Sequence, residues 1–167
     1  MLQMPENVRA ACPADEDALI DLCRELHTEN AAFSLDIDKV REIIQQAIKP
    51  PPYHNTIRCI GVIGEPKGPL EGAIHLVGQQ DWYSSEWALF EVFNFVPTRY
   101  RKGTTNARDL VAWAKGMADA LSMKLLIGIV SNQRTEAKVR LYSRLLGPPA
   151  GAFFFYGGTT GQQGSTH

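Results

Sequence analysis

Cysteine is scarce in this chain of 167 residues, and its spacing suggests neither a cross-link nor a metal. Cys12, Cys23 and Cys59 are an odd number with no CxxC pair and no Cys/His ligand spacing, so a disulfide framework and a zinc site are both set aside. Thiols left free fit a reducing, cytoplasmic compartment. Charge of one sign is also lacking: the formal total is -1, so no whole-chain field draws the protein onto nucleic acid or an anionic membrane. Any anion site must therefore be local. The N-terminus has no signal-peptide pattern, because Glu6 and Asn7 come early, and no window approaches the roughly 20 apolar residues of a membrane span. What is present, 44% hydrophobic and 21% charged residues, is ordinary for a globular domain, and the length supports one core rather than two. The expected organisation is a single domain over 1–156 and a Gly/Ser/Thr/Gln-rich, disordered tail over 157–167.

Hydrophobic periodicity sets the order of elements. "NVRAAC" reads as a short strand, and Pro13 with Asp15, Glu16 and Asp17 opens a helix carrying Leu19, Leu22, Cys23 and Leu26 at helical spacing to about His27. A second helix starts near Asp36, with Ile37, Val40, Ile44 and Ile48 on one face, and the prolines from Pro50 to Pro52 stop it. "TIRCIGVIG" and "LEGAIHLVG" form a hairpin across "EPKGP", and "WALFEVFNFV" adds a third antiparallel strand. Ala107, Leu110, Val111, Ala114, Met117, Ala118 and Leu121 mark a long helix. "KLLIGIV" reads as a strand buried on both faces, "TEAKVRLYSRLL" as a helix ended by "GPP", and "GAFFFYG" as a last strand. The expected fold is mixed α/β in the order β-α-α-β-β-β-α-β-α-β.

The stretch "PTRYRKGTTNARDL", residues 97–110, lies between a strand and a helix. The first turn of a helix leaves backbone N–H groups unpaired at the positive end of its dipole, Thr104, Thr105 and Asn106 add polar donors, and Arg101 and Lys102 add counter-charge. That combination suits a pyrophosphate. By itself it also reads as an ordinary basic loop with a capped helix, since neither GxxxxGK[ST] nor GxGxxG is present.

The element order, with "ALFEVFNFVP", "TRYRKGTTN", "ARDLVAWAKGMA", "KLLIGIV" and "RLYSRLLG" in sequence, resembles the GNAT superfamily of acyl-coenzyme A dependent N-acetyltransferases over roughly residues 7–156. The resemblance implies a central mixed, mostly antiparallel sheet flanked by helices. It further implies acetyl-coenzyme A as cosubstrate, no metal, and an amine-bearing acceptor, small molecule or protein, attacked directly in a ternary complex. On this reading Phe95, Val96, Arg101, Lys102, Gly103, Thr104, Thr105, Asn106, Asn132 and Thr135 hold the coenzyme. Thr105, Asn106, Thr135 and Pro148 depart from the family's pattern, which keeps a second class in view: a non-catalytic binding or structural protein with a degenerate coenzyme loop.

Two residues are candidates for the chemistry. Tyr142 lies beside Leu141 and Leu145 and reads as core from periodicity; the resemblance implies instead that its phenol is the acid facing the coenzyme sulfur. Glu91 is the candidate base, because alternation places Leu89, Glu91, Phe93 and Phe95 on one face and a carboxylate among aromatics has its pKa raised. His75 and Glu86 are secondary candidates for facing an acceptor pocket. Trp82, Tyr83 and Trp87 are expected to pack in the core, with an acceptor wall or a homodimer contact as the other uses. Neither a nucleic-acid nor a membrane partner is expected.

Overall fold

The computed structural model describes residues 4–30, 32–50, 56–129 and 135–154. Its sheet has five strands in the order β1 (Arg9–Ala10), β2 (Arg58–Ile63), β3 (Gly72–Gln80), β4 (Trp87–Phe95) and β5 (Lys124–Leu126). The first four are antiparallel neighbours, and β5 runs parallel to β4. Helices α1 (Glu16–Asn30) and α2 (Ile37–Ile48) separate β1 from β2, α3 (Asn106–Leu121) connects β4 to β5, and α4 (Thr135–Leu146) follows. The expected mixed α/β order is therefore found as far as α4.

Two apolar layers sandwich the sheet. Leu19, Ile20, Leu22 and Cys23 of α1 and Ile44 and Ile48 of α2 pack with Ile60, Val62, Ala73 and Phe95 on one face. Leu110, Trp113, Ala114 and Ala118 of α3 pack with Ile74, Leu76 and Leu89 on the other. Burying stripes of this kind, at about 25 cal/mol per Å² of apolar surface, is the main stabilising contribution. Gly61 lets α3 approach closely: a Cβ there would stand 2.7 Å from the Trp113 ring. Polar groups fix the helix ends. The Asp15 carboxylate is fully buried, yet it accepts two bonds from the Arg9 guanidinium and one from the Cys12 N–H, each at 2.8 Å. Asp36 caps α2 through the Lys39 N–H at 3.0 Å.

Five sequence expectations change. The strand expected in "NVRAAC" pairs over two residues only. Alternation does not carry through β4: Leu76 lies opposite Glu91 while the adjacent His75 lies opposite Phe93, so Val92 is an extra, bulged residue. The register then puts Leu89 and Glu91 on the α3 face and Phe93 and Phe95 on the α1/α2 face. The strand in "KLLIGIV" is only Lys124–Leu126, with Leu126 44% exposed, because among the described residues β5 has a neighbour on one side alone. The described part of the expected last strand, 151–154, forms no strand pairing among the described residues, and Phe153 and Phe154 are exposed. The rest of that strand and the 157–167 tail lie outside the described residues. Trp82, Tyr83 and Trp87 are not core either: they occupy the β3–β4 turn and its edge, at 93%, 72% and 42% exposure.

Candidate active site

The candidate site lies where β4 and β5 part. Their parallel ladder ends at Phe90 and Leu126, whereas β4 continues to Phe95. Just beyond the last pair, the Gly128 N–H donates to the Glu91 carboxylate at 3.2 Å, so a side chain takes the place of the next ladder acceptor. Helix α4 lies over the opening and brings Lys138 and Tyr142 to it. The Tyr142 phenol oxygen accepts a bond of 3.0 Å from the Asn94 side-chain amide of β4.

Two clefts meet there. The first, of about 280 Å³, runs from Asn94 past Phe95, Val96, Thr104 and Thr105 at the start of α3 to Tyr142. The second, of about 270 Å³, is lined by Glu91, Phe93, Gly128 and Phe153. Asn94, Lys138 and Tyr142 border both. The phenol, the amide and the Lys138 side chain thus stand where the two clefts adjoin.

Electrostatics differ between the two. Burial pushes the Glu91 carboxyl up to about 7, against smaller opposing effects from the Gly128 N–H and the Lys138 charge. It is thereby poised to exchange a proton near neutrality. The Tyr142 phenol is raised above its ordinary value by burial first and by the neighbouring Glu91 charge second, so it keeps its proton. Because its oxygen already accepts from Asn94, its O–H is available to donate.

At the other end of the first cleft, α3 begins at Asn106 and its first backbone bond runs from the Asp109 N–H to the Thr105 carbonyl at 2.9 Å. The N–H groups of Asn106, Ala107 and Arg108 consequently have no acceptor inside the helix. Gly103 takes φ 75°, a left-handed conformation that a glycine adopts without strain, and a Cβ there would meet nothing within 4 Å. Thr105 borders the cleft with its hydroxyl bonded to Asp109, and the Thr104 hydroxyl donates to the Tyr100 carbonyl at 2.6 Å. This is a donor set suited to a phosphate.

The structure brings Glu91 and Tyr142 together with Phe95, Val96, Arg101, Thr104 and Thr105 along the two clefts. It turns Asn106 away: that side chain is buried and donates to Glu71 at 3.0 Å. Lys102 and Gly103 are exposed at the loop and Thr135 is the first residue of α4, none of them lining either cleft; Asn132 lies outside the described residues. Arg101 borders the first cleft in an unexpected role. Its guanidinium donates to the Val96 carbonyl at 2.7 Å, to the Thr98 hydroxyl at 3.1 Å and to both Glu29 oxygens at 2.8 and 2.7 Å. Two residues upstream, Arg99 is bidentate on Glu25, one turn before Glu29 on α1. The loop is thus clamped to α1 by two arginine–carboxylate forks.

Asn94, Lys138, Arg108 and Glu29 border the clefts and were not found from sequence. Asn94 carried a signal in retrospect, as a polar residue in an otherwise apolar strand end; Lys138 carried none beyond its place one turn before Tyr142. The secondary candidates fall elsewhere. His75 is fully buried beside Phe93, its ring edge-on at 5.6 Å, with neither nitrogen partnered among the described residues and its pKa lowered by burial to about 4. Glu86 is exposed and paired with Lys124 at 2.6 Å.

No protein-family model and no curated protein matches the sequence. Solved structures do match. A ribosomal-protein-alanine N-acetyltransferase from Brucella melitensis biovar Abortus 2308 aligns over 89% of this chain and 94% of its own, at 13% identity and TM-score 0.63. An aminoglycoside acetyltransferase from an uncultured soil metagenomic sample, in complex with sisomicin, aligns over 92% and 95%, at 13% identity and TM-score 0.63. AAC(6')-Iy, in complex with the bisubstrate analogue CoA-S-monomethyl-acetylneamine, aligns over 92% and 97%, at 14% identity and TM-score 0.65.

Proposed function

We propose, from a chain that has the GNAT acetyltransferase fold, that this protein is an N-acetyltransferase moving an acetyl group from acetyl-coenzyme A to an amine by direct attack in a ternary complex. The observation that carries the reading is the meeting of the two clefts at Tyr142, with Glu91 in one and the α3 start in the other. The bisubstrate analogue bound by a protein of the same fold supports the same division of the site between coenzyme and amine.

The residues present fit the coenzyme. The free amides of the first α3 turn, with the Thr104 and Thr105 backbone, would hold the pyrophosphate, and exposed Lys102 and Arg108 would supply counter-charge from either side. Acetyl-coenzyme A supplies the acyl carbon as a thioester. Arg101 does not hold phosphate in this account; it fixes the loop to α1.

An alkylammonium with a pKa near 10.4 must lose a proton before its nitrogen can attack, and Glu91 at about 7 takes it. The N–C bond forms as the C–S bond breaks, and the departing thiolate receives a hydrogen bond from the Tyr142 O–H. The two groups are coupled. The Glu91 charge is one of the causes raising the phenol, so once Glu91 is protonated the phenol becomes the stronger donor at the moment sulfur gains charge. The test is thiol release from acetyl-coenzyme A with a panel of amines, together with calorimetric coenzyme binding.

The consumption of Arg101 by Glu29 favours a second reading, a GNAT-fold protein that holds no coenzyme. Absence of coenzyme binding in the calorimeter selects it.

A further inference from the structure

We infer that Asn94 is a positioning residue: its side-chain amide pins the Tyr142 oxygen, so that the phenol O–H points away from the amide and stays free for the coenzyme sulfur. The inference rests on the acetyltransferase reading and adds to it the group that aims the acid. The bulge at Val92 makes the placement possible. Residues three apart on an unbroken strand face opposite sides of the sheet, which would put Glu91 and Asn94 on different faces. With one extra residue between them, Glu91 lies opposite Leu76 and Asn94 opposite Ile74, and both of those partners pack against α3. The carboxylate and the amide therefore emerge on one face, and both act on the same phenol.

Helix α4 needs such a tie. None of its residues is buried, so apolar packing alone gives the phenol little fixed orientation. Polar contacts tie the helix to its neighbours: Lys115 of α3 donates to the Leu145 carbonyl at 3.1 Å, and the Asn94 amide of β4 donates to the Tyr142 oxygen at 3.0 Å. The second contact reaches the reacting group itself. A phenol O–H lies in the plane of its ring with two opposed settings, and an N–H group on one side of the oxygen leaves the other side for the proton. The same N–H stabilises the phenolate, opposing the rise that burial and the Glu91 charge cause. Asn94 thus acts through Tyr142 twice, on the direction of the acid and on its strength.

The experiment pairs NMR with a mutant cycle. In isotope-labelled protein the Asn94 amide proton facing the phenol should shift and exchange faster with water on Tyr142→Phe, as loss of its acceptor requires. That arm needs no substitution at Asn94, and thermal melts check that each variant folds. Asn94→Leu removes the donor at similar volume and should lower kcat by about threefold to tenfold. Asn94→Asp, assayed at about pH 8.5, presents an acceptor that captures the O–H and should lower kcat by about tenfold or more, with calorimetric coenzyme affinity within about twofold of wild type in both. In the Tyr142→Phe background neither substitution should cost more than about twofold further, because the group it acts through is gone. Losses that multiply in the double variants, Asn94→Asp as active as wild type, or amide signals indifferent to Tyr142→Phe overturn the inference. The NMR arm separates it from the catalytic reading: responsive signals in a protein that acetylates no amine uphold the pinned phenol and defeat acetyl transfer, whereas turnover with indifferent signals does the reverse.

Discussion

Replacing Glu91 by Gln keeps the side chain's volume and an acceptor for the Gly128 N–H, and removes only the charge and the ability to take a proton. Two effects of opposite sign follow. A rise from the ordinary 4.5 to about 7, at roughly 1.4 kcal/mol per pH unit, means that ionising Glu91 costs the folded state up to about 3 kcal/mol, nearer 2 once partial solvent screening is allowed for. Because the folded-state pKa is the higher one, the native protein binds the extra proton, and stability falls as pH rises from 4.5 through about 7. At pH 4 both proteins are neutral at this position and should have equal denaturant midpoints; at pH 8 the Gln variant should be the more stable by about 2 kcal/mol. Activity should move the other way. With a saturating amine, kcat in the wild type should rise with pH to a plateau above about 7, and Glu91→Gln should lower it by roughly 100-fold to 10,000-fold and erase that limb. A variant that keeps the limb near neutrality, with no stability gain at pH 8, would refute the assignment of that proton to Glu91.

Three further outcomes are expected. Tyr142→Phe removes the O–H and the acceptor of the Asn94 amide; kcat should fall by about tenfold to 1,000-fold with coenzyme affinity nearly unchanged, measured by steady-state kinetics beside calorimetry. Arg101→Ala leaves Glu29 and the Val96 carbonyl without their donor, so urea unfolding should show a loss of about 2–4 kcal/mol and coenzyme binding should weaken; Glu29→Gln in the same background should recover part of the binding. His75→Leu exchanges two buried nitrogens, unpartnered among the described residues, for hydrocarbon. The wild-type histidine has a folded-state pKa near 4 against an ordinary 6.5, so the wild type loses stability as pH falls through that window, and the variant should not, as denaturation at pH 7 and pH 5 would reveal.

Much of the scaffold was legible because its signals are local. The period of α1, α2 and α3, the acid-rich start of α1, the Asp36 cap and the Gly/Pro turn between β2 and β3 each act within a few residues, and each element formed where its pattern lies. The β4 error has a non-local cause. Alternation assumes an unbroken ladder, but the extra residue at Val92 exists only relative to β3, and no side-chain pattern within the strand announces it. Burial of β5 failed for a similar reason, since an apolar run records which surfaces want cover and not which strand supplies it. At the site, Glu91 and Tyr142 came from residue type, strand position and resemblance. Asn94, Lys138 and Glu29 became visible only when α4 and α1 were set over β4. Arg101 shows the limit most plainly: sequence reveals a cation beside a helix start, whereas its partner lies 72 residues earlier on α1.

A crystal structure of the protein with acetyl-coenzyme A tests the central claim most directly. The account predicts pyrophosphate oxygens on the backbone N–H groups of Thr104 to Arg108, and the thioester sulfur within hydrogen-bond reach of the Tyr142 hydroxyl. A coenzyme seated away from the start of α3, or a Tyr142 hydroxyl still directed elsewhere with the thioester bound, would contradict it.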